Sequence, residues 1–364
     1  MSASSFDLII NGAGPAGSAC AIAAARRGCR VALVERVNFP RHKVCGDCLN
    51  PSVWPVLAAL GVEREIRALP HTMLDRVRFV SRRGRSLELP LPPGAEWGMT
   101  RQDFDAALLA AAGREGAVLY PGSPVTGVSE TENGWRVETD QISLTARTLV
   151  AADGRNSTTC RLLQTLPPAK PGRLALQCHI PLVETYRHTV ALEWTEHGYC
   201  GLAHVGADLL NLCVVATGGK VTAAKAEARR RYQLPENQVW HSIAPLDRAA
   251  LLPAPAAGLF LAGDTARVVE PFTGEGIFYA LRSGALAAEA ALRHLAGQES
   301  AAFYTANHRA LYHNRLWVNR FARFTVTRPW AGEAALALSR LHPGGLRWLT
   351  SKVVPGNAGA FPLR

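Results

Sequence analysis

Runs of apolar residues predict most of the strands and helices in this 364-residue chain. Residues 6–10 (FDLII) form a short apolar run, residues 18–28 (SACAIAAARRG) an alanine-rich stretch that ends at a glycine, and residues 30–34 (RVALV) a second apolar run. A β-rich run, a helical stretch and another β-rich run in this order predict a βαβ unit. The chain is therefore expected to begin with two parallel strands joined by a helix.

A second group of apolar runs occupies the first and middle parts of the chain. Each has strand length and is bounded by turn residues, at 76–80, 86–90, 174–178, 189–194, 198–204 and 209–215. Together they predict a mixed sheet that walls a cavity, and residues 221–232 predict a surface helix. On that wall we expect Trp194, Tyr199, Cys200 and His204. Two roles are open for His204: it is either a hydrogen-bonded residue of the sheet or a proton shuttle.

Three glycines follow the first apolar run with the spacing Gly-x-Gly-x-x-Gly, at Gly12, Gly14 and Gly17. The first permits a tight turn, the second lets the backbone approach a pyrophosphate, and the third allows close packing of helix and strand. The phosphates then meet free N–H groups at the positive end of the helix dipole. Glu35 ends the second run, where a carboxylate accepts hydrogen bonds from adenosine ribose hydroxyls. The unit is therefore predicted to bind a dinucleotide.

Basic residues are concentrated near the end of the chain. The net charge is +11, from 40 Lys and Arg against 29 Asp and Glu. From residue 303 onward nine basic residues accompany one acid, Glu333, and the interleaved aromatics are Trp317, Phe321, Phe324, Trp330 and Trp348. This pattern is typical of a helix on an anionic membrane surface, and equally of a helix packed on its own protein with a solvated basic face. No nucleic-acid recognition motif accompanies the charge, so no nucleic-acid partner is predicted.

Composition is that of a globular protein, with 48% hydrophobic and 19% charged residues. No Pro/Gly/Ser-rich linker divides the chain, so domains that interleave are expected. The start of the chain lacks the pattern of a signal peptide, and no apolar run approaches the roughly 18 residues of a membrane span. The eight cysteines lie mostly in apolar patterns, which predicts buried, reduced thiols. We expect a cytoplasmic protein, with peripheral membrane contact through the basic aromatic region as an open alternative.

Three more motifs follow the glycine loop. Residues 101–108 (RQDFDAAL) open a helical stretch, residues 153–157 (DGRNS) follow an apolar run, and residues 258–264 (GLFLAGD) form an apolar run ending in Gly-Asp. A Gly-Glu-Gly at 274–276 then opens another helical stretch. In this order, the four motifs resemble those of the para-hydroxybenzoate-hydroxylase superfamily of FAD-dependent enzymes. The resemblance covers roughly residues 7 to 290.

The resemblance implies FAD as the cofactor. It assigns Arg101 to the phosphates or the adenosine side, Asp264 to a ribityl hydroxyl, and the helix start after Gly274 to the pyrimidine end of the flavin. Backbone dipoles there stabilise a reduced, anionic flavin. The implied FAD contacts are Gly12, Gly14, Pro15, Ala16, Gly17, Glu35, Arg36, Lys43, Arg101, Asp153, Gly263, Asp264, Gly274, Glu275, Gly276 and Ile277. NAD(P)H is expected as a transient reductant, because no second glycine loop is present.

One position departs from the superfamily pattern. The arginine usually found three residues after Ser157 is replaced by Cys160. No nicotinamide contact is therefore assigned there.

Residues 43–48 (KVCGDC) hold two cysteines spaced as in zinc sites and redox dithiols. No second Cys or His pair stands at metal-site spacing, so no metal site is predicted. Residues 39–51 resemble the segment that lines the flavin and the cavity mouth in the geranylgeranyl-reductase-like branch of the superfamily. The form of residues 271–276 (PFTGEG) is also that of this branch.

Three roles stay open for the cysteines. They form a flavin-lining floor, or Cys45 is redox-active or contacts substrate, or Cys45 and Cys48 act as a pair. For a pair, a helix start and the nearby residues 41–43 (RHK) would lower a thiol pKa. The catalytic candidates are Cys45, Lys43 and Pro271.

The predicted fold class is α/β, with a Rossmann-like FAD-binding domain interleaved with a mixed β-sheet substrate domain and followed by a helical C-terminal cap. The FAD-binding domain is assigned to residues 1–75, 101–164 and 256–300, the substrate domain to 76–100 and 165–255, and the cap to 301–364.

The function implied is that of an FAD-dependent oxidoreductase. The first prediction is NAD(P)H-driven monooxygenation of an aromatic or lipophilic small molecule, which needs no protein nucleophile. The alternative is reduction of C=C bonds in a prenyl chain, although the Tyr-x-Trp-x-Phe-Pro stretch usual in such enzymes is absent. Halogenation usually brings a Trp-x-Trp-x-Ile-Pro motif, which is also absent. An electron-relay flavoprotein at a membrane would be supported by the basic aromatic region alone.

Overall fold

The computed structural model describes residues 4–92, 94, 96–168, 172–271, 274–313, 316–341 and 344. Its strands are β1 (Ser4–Asn11), β2 (Val31–Val34), β3 (Cys48–Leu49), β4 (Thr72–Leu74), β5 (Arg76–Val80), β6 (Ser86–Pro90), β7 (Glu96–Gly98), β8 (Val118–Tyr120), β9 (Val125–Thr131), β10 (Gly134–Thr139), β11 (Ser143–Ala151), β12 (Arg173–Pro181), β13 (Thr189–Trp194), β14 (Gly198–Val205), β15 (Leu209–Thr217), β16 (His241–Ile243) and β17 (Leu259–Leu261).

The α-helices are α1 (Pro15–Ala25), α2 (Val53–Ala59), α3 (Glu63–Arg67), α4 (Arg101–Arg114), α5 (Thr158–Leu162), α6 (Val221–Arg231), α7 (Gly276–Leu295), α8 (Ala301–Leu311), α9 (Leu316–Thr327) and α10 (Pro329–Leu341).

The first sheet is built around β11, which lies beside β1 along its whole length. The strand order is β8-β2-β1-β11-β10-β9, and the pairs β8-β2, β2-β1 and β1-β11 are parallel. The other edge of β11 is shared: β10 pairs with its first half antiparallel, and β17 pairs with Leu149–Ala151 parallel. The parallel strands end at one edge of the sheet, where ligands of open α/β folds bind.

One face of this sheet is covered by α1, α4 and α7, which share a large hydrophobic core with the strands. Helices α1 and α7 pack with their backbones in near contact, because a Cβ at Gly284 would lie 2.0 Å from the carbonyl oxygen of Ala16. The two helices that begin at the ligand-binding edge are therefore held directly against each other.

The second sheet has the order β16-β12-β15-β14-β13-β5-β6 and is antiparallel except for the parallel pair β13-β5. A small third sheet, β3-β7-β4, joins the two larger ones, since β3 follows the nucleotide-binding unit and β7 packs on β14. Helices α9 and α10 lie against the second sheet, where Trp194 donates a hydrogen bond to the carbonyl oxygen of Thr325 at 3.2 Å. The predicted fold class is confirmed, and Trp348 lies outside the described residues.

Candidate functional site

The glycine loop is a tight turn between β1 and α1. Gly12 has φ +104°, and a Cβ there would lie 2.5 Å from the carbonyl oxygen of Ala152. A Cβ at Gly17 would lie 1.7 Å from the carbonyl oxygen of Gly12. Pro15 begins the helix and Ala16 lies in its first turn, so the free N–H groups of this turn point into the cleft.

Glu35 is buried at the end of β2 and bound to this loop. Its carboxylate accepts hydrogen bonds from the backbone N–H of Ala13 at 3.0 Å and of Val37 at 3.3 Å. The adjacent Arg36 is exposed at the rim of the cleft. The predicted ribose-binding carboxylate is thus held in place beside the glycine loop.

Two arginines share one buried carboxylate beside the glycine loop. Arg101 donates to both oxygens of Asp105, at 2.8 and 2.7 Å, and Arg41 lies 3.2 Å from the same carboxylate. A Cβ at Gly14 would lie 3.6 Å from Nη2 of Arg41. Nη1 of Arg41 is buried and has no hydrogen-bond partner among the described residues. Arg41, which was not among the predicted cofactor residues, therefore stands over the position assigned to the pyrophosphate.

Lys43 and Arg155 add positive charge further along the cleft. Burial, together with the nearby charges of Arg101 and Arg41, lowers the pKa of Lys43 to about 8. Arg155 forms an ion pair with Asp264 at 2.7 Å, while its Nε and Nη1 atoms are buried without a partner among the described residues. An anionic ligand in the cleft would compensate these cations and raise the pKa of Lys43.

The carboxylate of Asp153 is bound by protein groups. It accepts hydrogen bonds from Asn11, at 3.1 Å, from the Ser157 hydroxyl, at 2.6 Å, and from the backbone N–H of Thr159, at 3.0 Å. These bonds tie the end of β1 to the loop that carries Arg155. The side chain thus fixes the cleft wall, and a direct contact with FAD stays a prediction.

The second flavin motif places α7 across the cleft. Gly263 follows β17, and its N–H donates to the Ser283 hydroxyl of α7 at 2.8 Å. Glu275 precedes the helix and is buried, and Gly276 and Ile277 form its first turn. Gly274 and Pro271 line the adjoining cavity. The predicted residues of both motifs therefore meet at the same edge of the first sheet.

These residues fit FAD. Two helix N-termini, at α1 and α7, supply N–H groups and positive dipole ends. The space above Gly14 admits a close approach to the backbone, and the guanidinium nitrogens of Arg41 and Arg155 that lack partners are donors suited to phosphate or carbonyl oxygens.

The backbone of Cys45 is held by the second sheet. Its N–H donates to Oε1 of Gln177 at 3.2 Å, and its carbonyl oxygen accepts from Nδ2 of Asn211 and from Sγ of Cys213, each at 3.0 Å. These residues lie on β12 and β15. The second sheet therefore fixes the loop that faces the cleft.

Asp47 anchors the same loop with its side chain. It is buried, with φ 55°, and its carboxylate accepts from His179 at 2.8 Å and from Gln177 at 3.2 Å. Burial raises its pKa, and the hydrogen bond from His179 opposes this rise. The backbone N–H of Arg101 also donates to this carboxylate, at 3.3 Å. Asp47 thereby links the cofactor cleft to the second sheet.

An apolar cavity of about 260 Å³ adjoins the cleft. Its wall is formed by the inner face of the second sheet, by α9 and α10, and by the residues around Cys45 and Pro271. The described lining residues include Val44, Cys48, Val77, Phe79, Leu91, Glu96, Ala175, Val190, Leu192, Trp194, Tyr199, Gly201, Cys213, Val215, Leu246, Val318, Phe321, Ala322, Thr325 and Leu336. Such a cavity favours a lipophilic ligand.

Comparison with known proteins identifies the family. A profile described as FAD binding domain matches residues 5–171. The chain is 31% identical over 313 residues to menaquinone reductase of Mycolicibacterium smegmatis, covering 78% of this chain and 75% of that protein. The chain belongs to the geranylgeranyl-reductase-like branch of the para-hydroxybenzoate-hydroxylase flavoproteins. It is an FAD-dependent oxidoreductase.

Other relatives of this flavoprotein carry different names. It is 27% identical over 330 residues to geranylgeranyl diphosphate reductase of Rhodobacter capsulatus, covering 80% of this chain and 76% of that protein. It is 28% identical over 325 residues to conditioned medium factor receptor 1 of Dictyostelium discoideum, of which it spans only 63%. A solved flavin-dependent brominase shares the fold, with a TM-score of 0.78 and 20% identity over 98% of this chain and 96% of the brominase.

Burial favours the protonated thiols of the three cysteines nearest the cleft. Cys45, Cys48 and Cys213 all line the cavity. Burial raises the pKa of each thiol, and near Cys45 the charge of Arg101 only partly opposes that effect. Neutral thiols are poor nucleophiles, which is consistent with Cys45 as part of the floor, and the redox and substrate-contacting roles stay predictions.

Two of the expected wall residues face elsewhere. Trp194 and Tyr199 line the cavity, but Cys200 packs in the hydrophobic cluster beside α6 on the other face of the sheet. His204 accepts from the backbone N–H of His188 at 3.1 Å and contacts the carbonyl oxygen of Ala207. The prediction was wrong for Cys200 and His204, because successive residues of a strand point to opposite faces. His204 is thus a hydrogen-bonded sheet residue.

Glu96 was missed by the sequence analysis. It lies on β7, is 5% exposed, and lines the cavity. Burial raises the pKa of its carboxyl group, with no hydrogen bond or charge of the described residues among the causes. In the sequence, the one indication of a site here is a single acidic residue, Glu96, among apolar residues and directly before Trp97.

Glu96→Gln is expected to raise stability in a pH-dependent way. Burial raises the pKa of Glu96 from 4.5 to about 7. The folded state therefore binds a proton that the unfolded state releases between these values, so Glu96 lowers stability progressively as pH rises from 4.5 to about 7. The variant should match the wild type near pH 4 and unfold at a higher temperature near pH 8. Thermal unfolding of the two apoproteins across this range measures the difference, and an equal gain at every pH would contradict the assignment.

Proposed function

We propose that this flavoprotein reduces C=C bonds in the isoprenoid chain of a lipid. The observation that carries the proposal is the apolar cavity, which extends from α9 and α10 to Cys45, Pro271 and Gly274 at the cofactor cleft. A lipid chain in this cavity would meet an almost entirely apolar wall and reach the residues that flank the predicted flavin position.

The named relatives support this alternative better than the first prediction of monooxygenation. Menaquinone reductase and geranylgeranyl diphosphate reductase are both reductases by name. The brominase shares 20% identity with this chain, and its likeness therefore supports the fold alone. Monooxygenation stays a prediction, and the experiment below distinguishes it by its oxygen requirement.

The proposed reaction breaks one C=C π bond and forms two C–H bonds. Reduced FAD, held in the cleft, would supply a hydride equivalent and become oxidised, and water or an acid would supply the proton. A low-potential donor, a nicotinamide in the simplest case, returns the two electrons. This chain contributes the cleft cations that hold the anionic cofactor and a cavity wall that excludes water from the alkene.

The test is anaerobic turnover of the FAD-loaded protein. Reduced nicotinamide or dithionite is supplied together with an isoprenoid quinone or alcohol. The masses of the products are measured by mass spectrometry. The proposal expects products heavier by two hydrogen atoms for each reduced bond. Products that gain oxygen, and that form only in air, would instead support monooxygenation.

Gly201→Leu is expected to block the cavity without disturbing the fold. Gly201 lines the cavity, and a Cβ there would meet no atom within 4 Å. A leucine side chain would fill part of the cavity in which the substrate is proposed to bind. This should lower kcat/KM for a long isoprenoid at least about tenfold. Steady-state kinetics measure this loss, with Gly201→Ala as a graded control. Unchanged kcat/KM in the leucine variant, at unchanged FAD content, would place the substrate elsewhere.

We further propose that α9 and α10 contact an anionic lipid surface. Large side chains on these helices are exposed outside the cavity, namely Trp317, Phe324, Trp330 and Leu338. Arg320, Arg323 and Arg328 lie among them, and Arg82, Arg83 and Arg85 lie on the nearby exposed turn between β5 and β6. Aromatic and basic side chains together are typical of interfacial helices. No helix in the described part of the chain is long and apolar enough to cross a bilayer.

Trp330→Ser combined with Phe324→Ser is expected to weaken vesicle binding about tenfold or more, because two exposed aromatic side chains are removed from the interface. Co-sedimentation with vesicles containing anionic lipid measures the change. Val239→Ser, a change at an exposed apolar residue outside these helices, is the control. Equal sedimentation of both variants would contradict this surface.

A further inference from the structure

The cavity has two chemically different ends. Along β13, Val190 and Trp194 are four residues apart, about 13 Å at the rise of a strand. Trp194 packs with residues of α9 and α10, whereas Val190 packs beside Cys48 in the cluster next to β7. Glu96 lies on β7, which pairs with the strands of Cys48 and Leu74 in this cluster, so Glu96 lies towards the end of the cavity away from α9 and α10.

A carboxyl group is an unusual side chain at this end. Glu96 pairs through its backbone with Leu74, and the side chains around it include Cys48 and Leu91. The other charged residue among the described lining is Arg155, which is paired with Asp264 where the cavity adjoins the cofactor cleft. Burying a carboxyl group against an apolar wall costs free energy, so a ligand that supplies a hydrogen bond would relieve this cost.

We propose that Glu96 hydrogen-bonds a neutral carbonyl or hydroxyl group of the isoprenoid substrate and excludes substrates with a diphosphate head. This inference rests on the proposed function. A protonated carboxyl donates to a carbonyl oxygen, and either protonation state accepts from a hydroxyl. The head would lie at Glu96, and the chain would extend towards α9 and α10.

A diphosphate does not fit this end of the cavity. Diphosphate sites in proteins use Arg, Lys or helix N-termini, and none of the described residues lining the cavity beside Glu96 is basic. The ionised carboxylate of Glu96 would also repel an anion in a site of low polarity. The two reductases named above differ in this chemistry, because a quinone head is neutral and a diphosphate head is anionic.

The experiment measures binding to the FAD-loaded protein by equilibrium dialysis, with geranylgeraniol and geranylgeranyl diphosphate as probes. The two probes have the same isoprenoid chain and differ only in the head group. The ratio of their dissociation constants therefore reports recognition of the head group alone. Wild type is expected to bind the alcohol at least about tenfold more tightly. Glu96→Leu should weaken alcohol binding about tenfold, and Glu96→Gln, which keeps hydrogen-bonding groups, should retain most of it.

Thermal unfolding of the apoproteins checks that the variants fold, and both are expected to be at least as stable as wild type at pH 8. Equal or tighter binding of the diphosphate by wild type, or alcohol binding that Glu96→Leu leaves unchanged, would overturn the role of Glu96. These outcomes would not contradict the proposed C=C reduction, because reduction is tested separately by the masses of the products. If neither probe binds and no isoprenoid is reduced, the proposed function fails and this inference with it.

Discussion

Arg173→Ala is expected to lower the free energy of unfolding by about 3–5 kcal/mol. The guanidinium of Arg173 is bound by two carboxylates, from Glu270 at 3.1 and 2.8 Å and from Asp247 at 3.2 and 2.7 Å. Arg173 and Glu270 are both buried. Removing the arginine leaves the negative charge of Glu270 buried without this partner, and this loss of compensation is the source of the large effect.

The same ionic cluster also positions the loop before α7 and helix α9, which border the cavity. Glu270 directly precedes Pro271, and its backbone N–H donates to Asn319 of α9 at 2.8 Å. Asp247 also forms an ion pair with Arg323 of α9, at 3.0 Å. Arg173 on β12 therefore joins the second sheet to the loop before α7 and to the helix that covers the cavity. Loss of Arg173 should loosen the cavity wall as well as lower stability.

Urea unfolding followed by circular dichroism measures the stability change. Arg187→Ala is the matched control, because Arg187 also binds a carboxylate through two nitrogens, that of Glu184, but at an exposed position. Exposed ion pairs contribute little to stability, so this variant should unfold close to wild type. If the two variants lost equal stability, the burial of the Arg173 cluster would not be the source of its stabilising effect.

The glycine loop could be predicted from the sequence because its constraints are local. Gly12 and Gly17 stand five residues apart and meet within one turn, so their spacing alone encodes the geometry. Six strands of the second sheet were predicted for the same reason, since each is a short apolar run with its own boundaries, whereas the short strand β16 at its edge was not predicted. Local patterns of this kind identified the fold class and most of the residues around the cofactor cleft.

Residues whose roles depend on distant partners could not be predicted. Asp47 and Gln177 lie 130 positions apart, and their hydrogen bond exists only because the second sheet packs on the loop of Cys45. Glu96 is distinctive because its carboxyl group lies in an apolar cavity wall, and no spacing of residues in the sequence predicts that environment. Tyr199 and Cys200 are consecutive and cannot face the same side of β14, but which of the two faces the cavity depends on how β14 packs in the sheet.

Gly14→Val is expected to abolish the isolation of FAD-bound protein while leaving the apoprotein folded. Gly14 has φ −71° and ψ −175°, an extended conformation that valine adopts readily. A Cβ there would meet only Nη2 of Arg41, at 3.6 Å, which is an ordinary contact. The added side chain would occupy the space through which the pyrophosphate approaches the N-terminus of α1.

The predicted loss of FAD affinity is about 10- to 100-fold, which corresponds to overpacking of about 1–3 kcal/mol. Fluorescence titration of the apoprotein with FAD measures the affinity, and thermal unfolding of the same sample checks the fold. Gly17→Ala is the contrasting variant, because a Cβ there would lie 1.7 Å from the carbonyl oxygen of Gly12 and must displace the backbone. It should lose both stability and FAD. Normal FAD affinity in Gly14→Val would mean that the pyrophosphate does not lie over this glycine, whereas loss of affinity at unchanged apoprotein stability would locate it there.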